Sequence, residues 1–136
     1  MSEAVKKRTV SRGLPDEVRT AARAALDKKA TDVTVLDLRH AAAFADYFLI
    51  CTGQNPRQVK AIADAIEDAL RELGRRPAHV EGYERAEWIL MDYFDLIVHV
   101  FSPQLRTFYA LERLWGSATQ IDVAEPFAAA HRTSRR

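Results

Sequence analysis

Apolar residues recur along this chain with two periods, and the switches between them mark out the elements. Val18, Ala21, Ala22, Ala25 and Leu26 form a thin stripe at helical spacing behind Pro15, Asp16 and Glu17, which predicts a helix to about Lys29. Asp32–Leu38 alternates Val33 and Val35 against Thr34, Leu36 and Leu38 and reads as a strand. Tyr47–Thr52 is a continuous apolar run of strand length stopped by Gly53, the pattern of a strand covered on both faces. Asn55–Leu73 is the clearest helix. Asn55 suits the N-cap, Pro56 the first turn and Gln58 the capping-box position, while Val59, Ile62, Ala63, Ile66, Leu70 and Leu73 share one face ahead of Gly74. His79–Glu81 is a short strand at most, and Gly82–Glu87 a polar loop. Ser102-Pro103 starts a last helix, expected to about Trp115 with Leu105, Phe108, Leu111, Leu114 and Trp115 near one side. Beyond Ser117 periodicity fades, although Ile121, Val123 and Phe127 would lay a short segment against the body.

The centre of the pattern is Glu81–Phe101, where two strands, Trp88–Tyr93 and Leu96–Phe101, follow each other with almost no connection. If Phe94 and Asp95 form the turn, antiparallel pairing puts Ile89, Met91, Tyr93, Leu96, Val98 and Val100 on one face. The other face then carries Trp88, Leu90, Asp92, Ile97, His99 and Phe101. A carboxylate and an imidazole are not what a purely internal face needs, so the first face is expected to pack on helices and the second to be partly offered to something outside the chain. A three-residue turn would shift the register by one and exchange the faces of one strand.

These elements make an α/β fold, a mixed sheet flanked by helices. The 136 residues suffice for one domain with a real core. Residues 1–13 read as a flexible basic leader, 14–117 as the domain and 118–136 as an extension, partly disordered. One cysteine, Cys51, precludes an intramolecular disulfide and fits a reducing compartment. No apolar run approaches the roughly 20 residues of a membrane helix. The N-terminus lacks the apolar segment of a secretion signal, and Glu3, Asp16 and Glu17 argue against an organellar leader, so the expected location is cytoplasmic. The net charge of +1 conceals an asymmetry: residues 31–127 hold fifteen acids against nine Lys and Arg, while both ends are basic. An acidic body is a poor nucleic-acid binder and suits a basic protein partner, although ordinary solubilising charge reads the same way.

Candidate chemistry is sparse. Cys51 sits within an apolar strand and reads as a structural thiol. His40, His79, His99 and His131 are scattered without metal-ligand spacing; His99 reads as a hydrogen-bonded or interface imidazole before a general base. Gly53-Gln54-Asn55-Pro56 joins a strand to a helix but is neither a P-loop nor a dinucleotide fingerprint. Asp37, Asp46, Asp92 and Asp95 fall at strand ends, yet no Asp-x-Asp pair exists, and turn formation accounts for each. The enzymatic alternative is a divergent metal-dependent nucleotidyl- or phosphoryl-transferase using Asp37, Asp92 and Asp95. Binding is the preferred reading, because Trp88, Tyr83, Tyr93, Phe101 and Tyr109 stand near acids and near Arg85 and Arg106, as aromatic anchors with charged rims do at protein interfaces. The same aromatics would also serve as core.

The run Ala45-Asp46-Tyr47-Phe48-Leu49-Ile50-Cys51-Thr52-Gly53, then Arg57-Gln58-Val59-Lys60-Ala61-Ile62-Ala63, resembles the Iojap family, whose bacterial members are called ribosomal silencing factors. So do Glu81-Gly82, Trp88–Tyr93, Asp95, Val98–Phe101, Arg106, Tyr109 and Leu111–Trp115, over about residues 14–117. The resemblance implies a nucleotidyltransferase-like fold without catalytic carboxylates, no enzymatic activity and no cofactor or metal. It implies docking on the large ribosomal subunit through the ribosomal protein conventionally numbered fourteen, on the intersubunit face. Subunit joining would be blocked sterically when nutrients are short, and homodimers are an expected second state. The expected partner-binding residues are Trp88, Leu90, Asp92, Tyr93 and Asp95, with Arg106 and Tyr109 at the rim. Phe94 departs from the family, which usually has Gly there; glycine takes a positive φ freely and phenylalanine does not, so the two-residue turn is not expected to carry over unchanged.

Overall fold

The structure, a computed structural model, describes residues 13–41, 43–109 and 118–123. In chain order the described elements are α1 (Asp16–Asp27), β1 (Thr31–Asp37), β2 (Tyr47–Thr52), α2 (Pro56–Glu72), β3 (His79–Glu81), β4 (Trp88–Asp92), β5 (Leu96–Phe101), α3 (Pro103–Tyr109) and β6 (Thr119–Val123). The six strands form one sheet in the order β3-β4-β5-β2-β1-β6. Among the described residues its one parallel pairing is β2 with β5, so the sheet is mixed.

Helix α2 forms because its termini are satisfied locally and its stripe is buried. Asn55 Oδ1 accepts the Gln58 N–H at 2.9 Å, and Gln58 Oε1 accepts the Gln54 N–H at 2.6 Å. The Gln58 amide also donates to the carbonyls of Lys28 and Lys29, tying the start of α2 to the end of α1. Val59, Ile62, Ala63, Ile66 and Leu70 are buried; burial contributes roughly 1.5–3 kcal/mol for each large aliphatic side chain. Leu73, expected on the same stripe, is 48% exposed, because it is the C-cap and the chain turns away at Gly74 with φ +80°.

The hairpin has the register expected for a two-residue turn: Trp88 faces Phe101, Leu90 faces His99 and Asp92 faces Ile97. Phe94 nevertheless adopts φ +73° without being glycine, correcting the expectation drawn from its side chain. The Asp95 N–H donates to the Tyr93 carbonyl at 2.9 Å across Phe94, and the Phe94 N–H donates to Asp92 Oδ1 at 2.8 Å. Local hydrogen bonds thus hold a conformation that a Cβ disfavours.

One sheet face is sealed. Ile89, Met91, Tyr93, Leu96, Val98 and Val100 join Val35, Leu49 and the apolar stripes of α1 and α2 in a single buried cluster. The opposite face holds a second cluster of Leu36, Leu38, Phe48, Ile50, Ile97 and Phe101, against which Leu105 of α3 and Ala118 pack. Thr119–Val123 falls in the stretch read as an extension, yet it supplies the sixth strand, paired antiparallel to β1, with Ile121 and Val123 buried. The leader through residue 12, the continuation of the last helix to Trp115, and Phe127 lie outside the described residues.

Candidate docking face

Among the described residues the second sheet face is accessible toward its β3–β4 edge, where β3 is exposed and β4 partly so. In β4 alternate side chains are buried and half-buried, so Trp88, Leu90 and Asp92 remain partly accessible while Ile89 and Met91 do not. Their neighbours Ile97, His99 and Phe101 on β5 are covered, so the expected partial exposure of this face falls on β4 and not on β5.

Trp88 is positioned from three sides. Its indole ring lies 5.0 Å from Phe101 and 6.0 Å from His99, centroid to centroid, and its Nε1–H donates to His99 Nδ1 at 3.1 Å. Behind it, Gly82 with φ +82° lets the backbone come so close that a Cβ there would stand 2.0 Å from the Trp88 carbonyl oxygen. His99 is wedged edge-on against Phe48 at 4.7 Å and stacked near Phe101. With Nδ1 accepting, the imidazole carries its proton on Nε2, which has no hydrogen-bond partner. Burial lowers the His99 pKa to about 3, so the ring is neutral at physiological pH and cannot be a poised general base.

Tyr93 does not belong with the accessible residues. It is 1% exposed on the helix-facing side, where strand alternation sends it, and its hydroxyl is buried without a partner. Burial pushes that phenol up to about 12. Asp95 is half-buried and clamped: Arg75 donates to its Oδ1 at 2.9 Å, to the Tyr93 carbonyl at 3.1 Å and to Glu17 Oε2 at 2.8 Å. Arg75, which the sequence placed only in a basic turn, therefore joins the end of α2 to α1 and to the hairpin turn. Arg106 extends across the second face to the hydroxyls of Thr52 at 3.0 Å and Thr34 at 3.4 Å, making it a half-buried strap beside the rim. The Tyr109 side chain lies outside the described residues.

The three acids of the enzymatic alternative are separately engaged. Arg39 grips Asp37 with two side-chain N–H groups at 2.9 and 2.7 Å, holding its carboxyl below the usual range. Asp92 accepts from Phe94, and Asp95 from Arg75. Among the described residues no three His, Cys, Asp or Glu side chains gather in a metal-holding group. Cys51 is fully buried, with its thiol pushed up to about 12 by burial, which keeps it protonated and unreactive. No helix among the described residues is long and apolar enough to cross a membrane.

These features define a mixed α/β domain with one sheet face sealed by two helices and the other accessible along an aromatic- and acid-bearing strand. Residues 11–136 match the family model described as ribosomal silencing factor during starvation, RsfS, and the chain belongs to that family. It is 43% identical over 106 residues to the ribosomal silencing factor RsfS of Bacillus subtilis, covering 78% of this chain and 90% of its relative. The chloroplastic protein Iojap of Zea mays is 36% identical over 105 residues, which span 75% of this chain and 44% of the plant protein. A crystal structure of a Chromobacterium violaceum protein superposes with a TM-score of 0.72 at 36% identity, covering 74% of this chain and 84% of the other. A Bacillus halodurans crystal structure does so with 0.68 at 37% identity, covering 81% and 98%. The family is named for silencing, not for a reaction.

Proposed function

We propose that this chain is a cytoplasmic translational repressor that docks on the large ribosomal subunit and prevents the small subunit from joining. The contact is a ribosomal protein of the intersubunit face, the one conventionally numbered fourteen, and the mechanism is occlusion by bulk. The fold is read as nucleotidyltransferase-like with its reaction machinery absent. The observation that carries this reading is the partial exposure of Trp88 and Leu90 beside Asp92 and Asp95, on the sheet face that α1 and α2 leave uncovered, in a member of the silencing-factor family. A half-buried tryptophan braced from behind matches the chemistry of an interface anchor. The acidic body would steer the encounter with a basic partner, and buried aromatics would supply most of the affinity. A homodimer is the expected second state, and starvation the condition under which silencing matters.

Sucrose-gradient sedimentation tests this reading. The wild type should comigrate with large subunits and lower the fraction of joined ribosomes; Trp88→Ala should lose comigration while staying folded, at a stability cost on the order of 1–3 kcal/mol. Wild-type protein that stays at the top of the gradient would refute it.

A further inference from the structure

Two phenylalanines stand clear of the fold, Phe44 at 76% and Phe94 at 74% exposure. Single exposed apolar side chains are ordinary on any protein surface. These two share one rim of the sheet, because the backbone stitches their segments together: the N–H groups of Asp46 and Tyr47 both donate to the Asp95 carbonyl, at 2.9 and 3.0 Å. Phe44 also lies 6.4 Å from Phe48, a member of the second-face cluster. Asp92, the last residue of the partly accessible strand β4, accepts the Phe94 N–H, so that strand runs into this rim.

The backbone at Phe94 adds a second observation. Its φ of +73° is unfavourable for a residue with a Cβ, and its ring gains no burial within the chain. The turn is nonetheless held from three sides, by the Asp92 carboxylate, by Asp95 N–H on the Tyr93 carbonyl, and by Arg75 on Tyr93 and Asp95. A strained turn that is braced so as to keep an aromatic ring in water serves nothing inside the fold. The charge around it indicates what the ring meets. Asp37, Asp46, Asp92 and Asp95 line this rim, where Arg39 is paired with Asp37 and Arg75 with Asp95 and Glu17. Among the described residues Asp46 and Asp92 form no ion pair, which leaves the rim acidic.

We infer that Phe44 and Phe94 are paired anchors that extend the docking face to this rim and enter apolar sockets bordered by Lys or Arg on a protein partner. The partner's identity rests on the ribosome-docking reading; the anchors rest on the structure of the rim. The decisive variant is Phe94→Gly, because glycine adopts the observed φ freely while removing the ring. Purified large subunits are the probe, with protein-free large-subunit RNA in parallel. The expected result is that Phe94→Gly keeps or raises the wild-type melting temperature and weakens binding to subunits at least about tenfold, as loss of an interface anchor does. Phe44→Ala should weaken it in the same direction, and the wild type and both variants should bind bare RNA alike and far more weakly than the wild type binds subunits. Wild-type affinity in Phe94→Gly would overturn the inference while leaving the ribosome reading standing. Equal wild-type binding to bare RNA, or loss of self-association alone with subunit binding intact, would overturn it too. If the wild type fails to bind subunits at all, both readings fall together.

Discussion

The indole N–H of Trp88 donates to Nδ1 of His99 at 3.1 Å, so the imidazole in the middle of the second sheet face sets the orientation of the tryptophan at its accessible edge. The bond runs between antiparallel neighbours, since Leu90 is the residue directly opposite His99 and Trp88 lies two positions back on the same face. His99→Phe keeps the stacking surface but leaves the indole N–H without its acceptor. It should cost roughly 1–3 kcal/mol in urea denaturation and move the Trp88 indole resonance in a nitrogen–proton correlation spectrum. An unshifted resonance would show that the bond is absent in solution.

The same histidine makes stability depend on pH. Its folded pKa, about 3, lies below the ordinary 6.5, so the unfolded chain binds the extra proton first. This contribution is complete above pH ~6.5 and is lost progressively as pH falls toward the folded value. Between pH ~6.5 and pH ~5 the loss should be roughly 2 kcal/mol, and His99→Phe should flatten that slope. A wild type and variant with parallel profiles would contradict the buried neutral state.

Tyr93→Phe removes a buried hydroxyl that has no partner and leaves the ring in place. It should be neutral or stabilising by about 1 kcal/mol and leave subunit binding unchanged, because the ring faces α1 and α2. Weakened binding at wild-type stability would return Tyr93 to the docking face.

Arg75→Met should loosen the junction of α1, α2 and the hairpin turn. Its partners Glu17 and Asp95 have side chains 24% and 46% exposed, so solvent screens each pair. The expected loss is on the order of 1 kcal/mol, shrinking in high salt, with faster hydrogen exchange at the hairpin turn. Exchange protection unchanged at Phe94 and Asp95 would argue that the turn holds itself.

Gly82→Ala places a methyl group 2.0 Å from the Trp88 carbonyl at a φ of +82°. Backbone must move, and with it the start of β4. A destabilisation of about 2 kcal/mol or more is expected, together with loss of subunit binding. Wild-type melting would show that the close approach at this loop is relaxed in solution.

Much of the fold was legible because its signals are local. Given a two-residue turn at Phe94–Asp95, the period-two pattern places Ile89, Met91, Val98 and Val100 on one side, and the observed register agrees. Asn55, Pro56 and Gln58 announce the start of α2 for the same reason. Helical periodicity puts Leu73 on the apolar stripe, yet it is exposed as the C-cap, since periodicity does not say where packing ends. Tyr93 reads as an interface residue by its nearness to acids along the chain, whereas the strand alternation sends it inward, where it is buried.

The sequence alone determined the types of the main elements and the family, since each depends on neighbours within a few residues or on ordered identities along the chain. The hairpin register and the sixth strand were decided by the tertiary structure. The tertiary structure decided which acids are already occupied, that Arg75 and His99 act as braces, and that Phe44 and Phe94 share a rim. The Trp88–His99, Arg75–Asp95 and Arg75–Glu17 bonds join residues 11, 20 and 58 positions apart, and no local pattern encodes them. They exist only once β2 and β5 lie side by side and the helices close over one face, because side-chain hydrogen bonds and exposure depend on the whole packed arrangement.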